Sequence, residues 1–183
     1  MARMNPLKRE DMTDAQRAAY DTVAARGGRL GGPNGIFVRV PELFELNQEV
    51  GDYLRANSVS PRLRQIAVLV AVRHWEAEYP WGVQARASMA NEIGIGRDIV
   101  DALNAKKTPA FADLDDRCVY DVACELVVHG TLSDASFAKA QAQLGFHRLL
   151  DVVATVGFYT AVALVANVFE VDVPKDVPVP LAI

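Results

Sequence analysis

Six residues between positions 74 and 81 carry most of the chain's concentrated chemistry. They are His74, Trp75, Glu76, Glu78, Tyr79 and Trp81. Proton transfer is the chemistry such a set can do. Imidazole is the side chain that changes charge near neutral pH. A carboxylate facing an apolar pocket of Trp75, Tyr79 and Trp81 would have its pKa raised and become a usable base. Glu76 and Glu78 are next-but-one neighbours, so an extended elbow puts them on one side and a helix makes them diverge. Arg73, beside the elbow, is placed to hold a carboxylate. Structural roles compete with these. A histidine ending a helix is favoured by the helix dipole, and a carboxylate opening the next helix is favoured in the same way.

Two helices must position this elbow, within residues 61–92. Ser60 can cap the first, and Pro61 suits its first position, where a missing N–H costs nothing. Leu63, Ile66, Ala67, Val70 and Val72 give that helix an apolar surface wide enough for near-complete burial. It runs to about His74, and Pro80 fits the first turn of the second helix. Gly94 and Gly96 are expected to end that second helix. Elsewhere, Thr13 with Gln16 reads as a capping box opening a helix to about Ala25. Residues 26–35, half of them glycine, form a loop that lets the chain pass close to another backbone, or a lid over a pocket. Residues 36–40 lead as a helical turn into a helix over 41–57 with Leu43, Leu46, Val50 and Leu54 inward. Further helices are expected over 97–105, 113–129, 133–145 and 148–169. The last is apolar nearly all round, which predicts burial against several neighbours. No stretch alternates with period two, so the fold class is all-α, a bundle of about seven helices in one domain spanning 1–183. Residues 1–12 read as an arm, and 171–183 as an extended, proline-rich tail able to strap a neighbouring subunit.

Composition bounds the partners. A net charge of −4 without a basic block argues against nucleic acid. The apolar run 149–168 is interrupted by Asp151, Gly157, Tyr159, Thr160 and Asn167, and reads as a buried helix and not a membrane span. Cys118 and Cys124 are six apart, expected on different sides of one helix, and read as reduced thiols of a cytoplasmic protein. Three scattered histidines without HxxxH or HxH spacing imply no metal site.

Four segments, in this order and spacing, carry a resemblance: "GPNGIFVRVPEL", "PRLRQIAVLVAVRHWEAEYPW", "VYDVACEL" and "VGFYTAVALVANVFEV". Together they resemble the carboxymuconolactone decarboxylase and alkylhydroperoxidase D-like superfamily, over residues 13–173. The resemblance implies an all-α, oligomeric protein. Its peroxidase branch carries a Glu, a CxxC and a His. Those positions fall here at Gln65, Ala77, Pro80 and Gln84. Without a thiolate pair there is no disulfide chemistry. Gln65 and Gln84 remain polar and could hold a substrate oxygen or amide. In relatives the last helix packs on the central pair, so Tyr159 could reach the same pocket.

The expectation is a non-redox, carboxymuconolactone decarboxylase-like enzyme acting on a small organic acid, lactone or enol. Glu76, Glu78 and His74 would move protons. Gln65, Arg73, Tyr79, Trp81, Gln84 and Tyr159 would bind substrate. No cofactor or metal is implied, and the protein is expected to be a homo-oligomer. The competing reading is a catalytically silent ligand-binding or scaffold protein on the same fold. Peroxidase or disulfide reductase activity ranks last.

Overall fold

A computed structural model describes residues 2–4, 7–28 and 30–182, so the arm, the glycine loop and the tail each include a position outside that set. All regular structure among the described residues is helical. After a 3-10 turn at Arg9–Asp11 come α1 (Asp14–Ala25), α2 (Asn34–Phe37), α3 (Pro41–Ala56), α4 (Pro61–His74), α5 (Glu78–Ser88), α6 (Arg97–Asn104), α7 (Leu114–His129) and α8 (Asp134–Val168). The starts follow local chemistry. Thr13 and Gln16 form the capping box, and Ser60, Asp113 and Ser133 each accept a bond from a first-turn N–H. Gly145, at φ 74° and ψ 169°, breaks α8 into limbs 134–144 and 146–168. That conformation is open to glycine almost alone.

The core is built around α4. Ile66, Ala67, Val68, Leu69, Ala71 and Val72 have no accessible surface, which requires neighbours on every side. α5, α6, α7 and α8 supply them. Each fully buried Leu, Ile or Val there stabilises the fold by about 1.5–3 kcal/mol. A second, smaller cluster joins Ala19, Val23, Phe37 and Phe44 from α1, α2 and α3 with Met12 and Val38 from the connections beside them.

Four expectations are corrected. α3 buries Phe44, Gln48, Gly51 and Leu54, leaving Leu43, Leu46 and Val50 exposed. Both stripes have helical spacing, and Phe44 outweighs the aliphatic row. α5 stops at Ser88, short of the glycines, and the Ile95 N–H returns to the Ser88 carbonyl at 3.1 Å. The second limb of α8 buries only one face, through Leu149, Val152, Thr155, Val156, Ala163 and Ala166. The tail lies on its own subunit. There Val179 is buried, Trp81 Nε1 donates to the Val179 carbonyl (3.0 Å), and Asn104 Nδ2 donates to the Pro180 carbonyl (2.8 Å).

Candidate functional site

α4 ends in a motif that dictates the elbow. The Ala77 N–H donates to the Val72 carbonyl (3.0 Å) and the Glu76 N–H to the Arg73 carbonyl (3.1 Å). This pair of bonds needs a left-handed residue after the helix, usually glycine. Here Glu76 takes the position at φ 49°. The connection is therefore three residues, Trp75 to Ala77, and α5 begins at Glu78.

The acid–base groups lie at the surface. Glu76 is exposed; its Oε1 accepts from Lys106 Nζ at 2.7 Å and lies 3.7 Å from Arg73 Nη1. The Lys106 hydrogen bond and charge hold this carboxyl below the usual range, so it is not a base poised near neutral pH. His74 is exposed too and packs edge-on to Trp75. Partial burial, then the Lys106 charge, push its imidazole pKa down. Glu78 sits exposed in the first turn of α5, where negative charge favours the helix dipole. The apolar pocket expected around one of these carboxylates does not form.

The aromatic residues are packed by other parts of the chain. Trp81 has no accessible surface. Trp75 Nε1 donates to Thr160 Oγ1 (3.2 Å), and Asn167 Nδ2 donates to the Trp75 carbonyl (2.7 Å), so α8 holds the elbow. Tyr79 lies under the glycine loop. Gly32, at φ 63°, comes so near that a Cβ there would sit 2.1 Å from Tyr79 Cε1. The close approach to backbone expected of this loop is made at Gly28, where a Cβ would lie 2.9 Å from the Val23 carbonyl oxygen, and Gly32 adds one to a ring. Arg73 is buried; its Nε donates to the Asn104 carbonyl and its Nη2 to the Ala182 carbonyl, both at 2.8 Å. Its guanidinium ties α6 and the tail to α4.

Gln65 and Gln84 form a separate polar centre. Gln65 is 7% exposed, and its Nε2 donates to Gln84 Oε1 at 2.9 Å and to the Gln84 carbonyl at 3.1 Å. Ser88 Oγ donates to that same carbonyl at 2.6 Å. Tyr159 lies beside the Gln84 side chain, and burial pushes its phenol pKa up, against the nearby Arg55 and Arg64 charges. Arg64 donates to the Leu54 and Arg55 carbonyls, closing the end of α3. Gln65 and His74 are nine residue steps apart, or about 13 Å along α4. The structure brings Gln65, Gln84 and Tyr159 together, and His74 with Glu76 and Arg73, but not the two sets.

Two surface hollows lie away from the elbow. One, of about 420 Å³, surrounds the ion pair of Arg62 and Asp116. The other, of about 510 Å³, runs between α7 and the first limb of α8. Cys118 and Cys124 both line it, although six residues set them about 120° apart around α7, on different sides as expected. Burial pushes both thiols up, which disfavours the thiolate. Among the described residues, no three His, Cys, Asp or Glu side chains are grouped to hold a metal. Sequence reasoning missed Lys106, Asn104 and Ser88. Lys106 stood out only as half of a short basic pair, and its partnership with Glu76 depends on two helix ends meeting in space.

No family model matches the chain, and no curated protein matches its sequence. Solved structures do match its fold. One is titled alkylhydroperoxidase AhpD core, an uncharacterized peroxidase-related protein from Ralstonia eutropha; it aligns at a TM-score of 0.75 and 15% identity over 98% of this chain and 97% of that one. Another, a protein of unknown function from Agrobacterium tumefaciens that its title associates with AhpD and antioxidant defence, aligns at 0.68 and 13% over 75% and 94%. The chain thus has the alkylhydroperoxidase D-like fold.

Proposed function

We propose that this chain uses the alkylhydroperoxidase D-like fold as a non-redox scaffold or ligand-binding protein, without catalysis. One observation carries the reading. Gln65 and Gln84, where the peroxidase pattern has its Glu and His, are hydrogen-bonded to each other within a packed core. Amides in those places neither shuttle protons near neutral pH nor activate a thiol. Purified protein, assayed with organic hydroperoxides and a dithiol reductant, is expected to show no turnover above the uncatalysed rate. Turnover abolished by Cys118→Ser or Cys124→Ser would refute the reading.

A second reading has its own support. Glu76 holds a left-handed conformation beside Arg73, Lys106 and the imidazole of His74. Strained residues among charged groups cluster at functional sites. On this reading the chain is a carboxymuconolactone decarboxylase-like lyase or isomerase. Its substrate would be a small organic acid, lactone or enol, and Glu76, Glu78 and His74 would handle the protons. Thermal-shift screening of such compounds separates the two, since a ligand of the native state raises the melting temperature. A compound that binds and is turned over, with turnover lost in Glu76→Gln, would favour the second.

A further inference from the structure

Arg73 carries a donor that the fold does not use. The residue is 7% exposed, and its Nε and Nη2 are held by the Asn104 and Ala182 carbonyls, both at 2.8 Å. Its Nη1 is buried too, but has no hydrogen-bond partner among the described residues. A charged N–H buried without a bond is costly, and the cost calls for something that the group binds. The carboxylate beside it does not meet that need. Glu76 Oε1 stands 3.7 Å from Nη1, near enough to attract and too far to bond. Lys106 Nζ takes the same oxygen at 2.7 Å, and the turn that ends α4 fixes the Glu76 backbone at φ 49°. Two cations face one carboxylate, which leaves one positive charge unmatched. The Glu76 side chain is 55% exposed and that of Lys106 60%, so two groups with room to swing aside stand between Nη1 and solvent. The imidazole of His74 is close enough to feel the Lys106 charge and packs edge-on to Trp75, which brings aromatic surface to the same end of α4.

We propose that Arg73 and Lys106 form a binding site for a small organic monocarboxylate, with Glu76 as its built-in competitor. The ligand's carboxylate takes the place of the Glu76 carboxylate. One oxygen accepts from Arg73 Nη1 and the other from Lys106 Nζ, while Glu76 turns out to solvent. Hydrogen bonds between ionised groups are shorter and stronger than neutral ones, and a planar carboxylate suits a guanidinium. Charge selects the class of ligand. A monoanion balances the one unmatched positive charge, and a phosphate dianion overshoots it. The competitor accounts for the second anomaly of the elbow. Glycine is the usual residue at the left-handed position after a helix. A glutamate there holds a carboxylate against Arg73 whenever no ligand is bound. The site is about two helical turns along α4 from Gln65, and so is separate from the polar centre. It rests on the ligand-binding reading above and needs no catalysis, since Glu76 here excludes the ligand and moves no proton.

NMR titration of the full chain with sodium benzoate tests the site, and benzamide supplies the same shape without the charge. The Arg73 Nε–H and His74 ring signals are expected to move with benzoate at a Kd of about 1 mM, and to stay still with benzamide. Glu76→Gln and Glu76→Gly remove the competitor, and each is expected to bind benzoate about tenfold more tightly. Lys106→Ala, at an exposed position, is expected to bind it about tenfold more weakly with unchanged helical circular dichroism. Benzoate that moves neither signal in Glu76→Gln would overturn the proposal, as would equal binding of benzamide. So would weaker binding in both Glu76 variants, indifference to Lys106→Ala, or inorganic phosphate binding more tightly than benzoate. The hydroperoxide assay decides the non-redox reading and this titration decides the site, so either can fail while the other stands.

Discussion

Replacing Gln65 by Glu tests whether the polar centre is closed or is a solvent-filled pocket. The wild-type amide donates twice to Gln84, and the residue is 7% exposed. An ionised carboxylate in its place has no proton to donate and would face two acceptor oxygens. Its ionised form is therefore disfavoured by burial and by those acceptors, and its folded pKa must rise above the unfolded value near 4.3. The sign follows. Below about pH 4.3 both states bind the proton, and the variant loses only part of the hydrogen bonding, costing about 1 kcal/mol. As pH rises, the unfolded chain ionises first, and stability falls by about 1.4 kcal/mol per pH unit until the folded group also ionises. A rise of two units yields an added loss of about 3 kcal/mol at pH 8, a large part of the 5–15 kcal/mol typical of a domain. Urea denaturation of wild type and Gln65→Glu at pH 4.5 and pH 8 measures the difference. Gln65→Met, which keeps the shape without a charge, should cost about 1 kcal/mol at both pH values. If Gln65→Glu is within about 0.5 kcal/mol of wild type at pH 8, the carboxylate is solvated and the site is open.

Three further outcomes are expected. Gly32→Ala should destabilise the protein by about 2 kcal/mol, through its positive φ and the Tyr79 ring, and by about 1 kcal/mol less in a Tyr79→Ala background; a double-mutant cycle by urea denaturation measures this. Val179→Asp buries a charge where the tail meets Trp81, so the tail should undock and the Trp81 emission move to longer wavelength; unchanged emission would mean the strap does not shield the indole. The His74 imidazole should titrate below its ordinary value and move up in Lys106→Ala, as followed by NMR. Because the folded pKa is lowered, the neutral form contributes stability that is present above the unfolded pKa and lost as pH falls through the folded one.

Helix identity was legible because caps and breakers act locally. Thr13, Ser60, Asp113, Ser133, Gly130 and Gly145 each do in space what their type and position predict. What stayed hidden was which face of a helix turns inward. On α3 two stripes share the same spacing, and only the placement of Phe44 against α1 and α2 decides between them. The elbow illustrates the other limit. Its residue types promise proton chemistry, yet local backbone geometry turns Glu76 and His74 outward, and the tail and α6 take up Arg73. Those contacts join residues tens of positions apart, and no local pattern encodes them.

The bonding that ends α4 recurs twice. At the end of α6 the Lys107 N–H reaches the Ala102 carbonyl with Lys106 at φ 55°, and after α8 the Val171 N–H reaches the Ala166 carbonyl with Glu170 at φ 49°. Each position usual for glycine holds a charged side chain, and each is paired: Glu76 with Lys106, Glu170 with Arg3. The torsional cost of each turn is thus opposed by an attraction that exists only while the carboxylate is ionised. Acid removes the attraction and leaves the torsion. Opening of the chain at low pH should therefore begin at these three helix ends, and amide exchange should quicken there before it reaches the centre of α4.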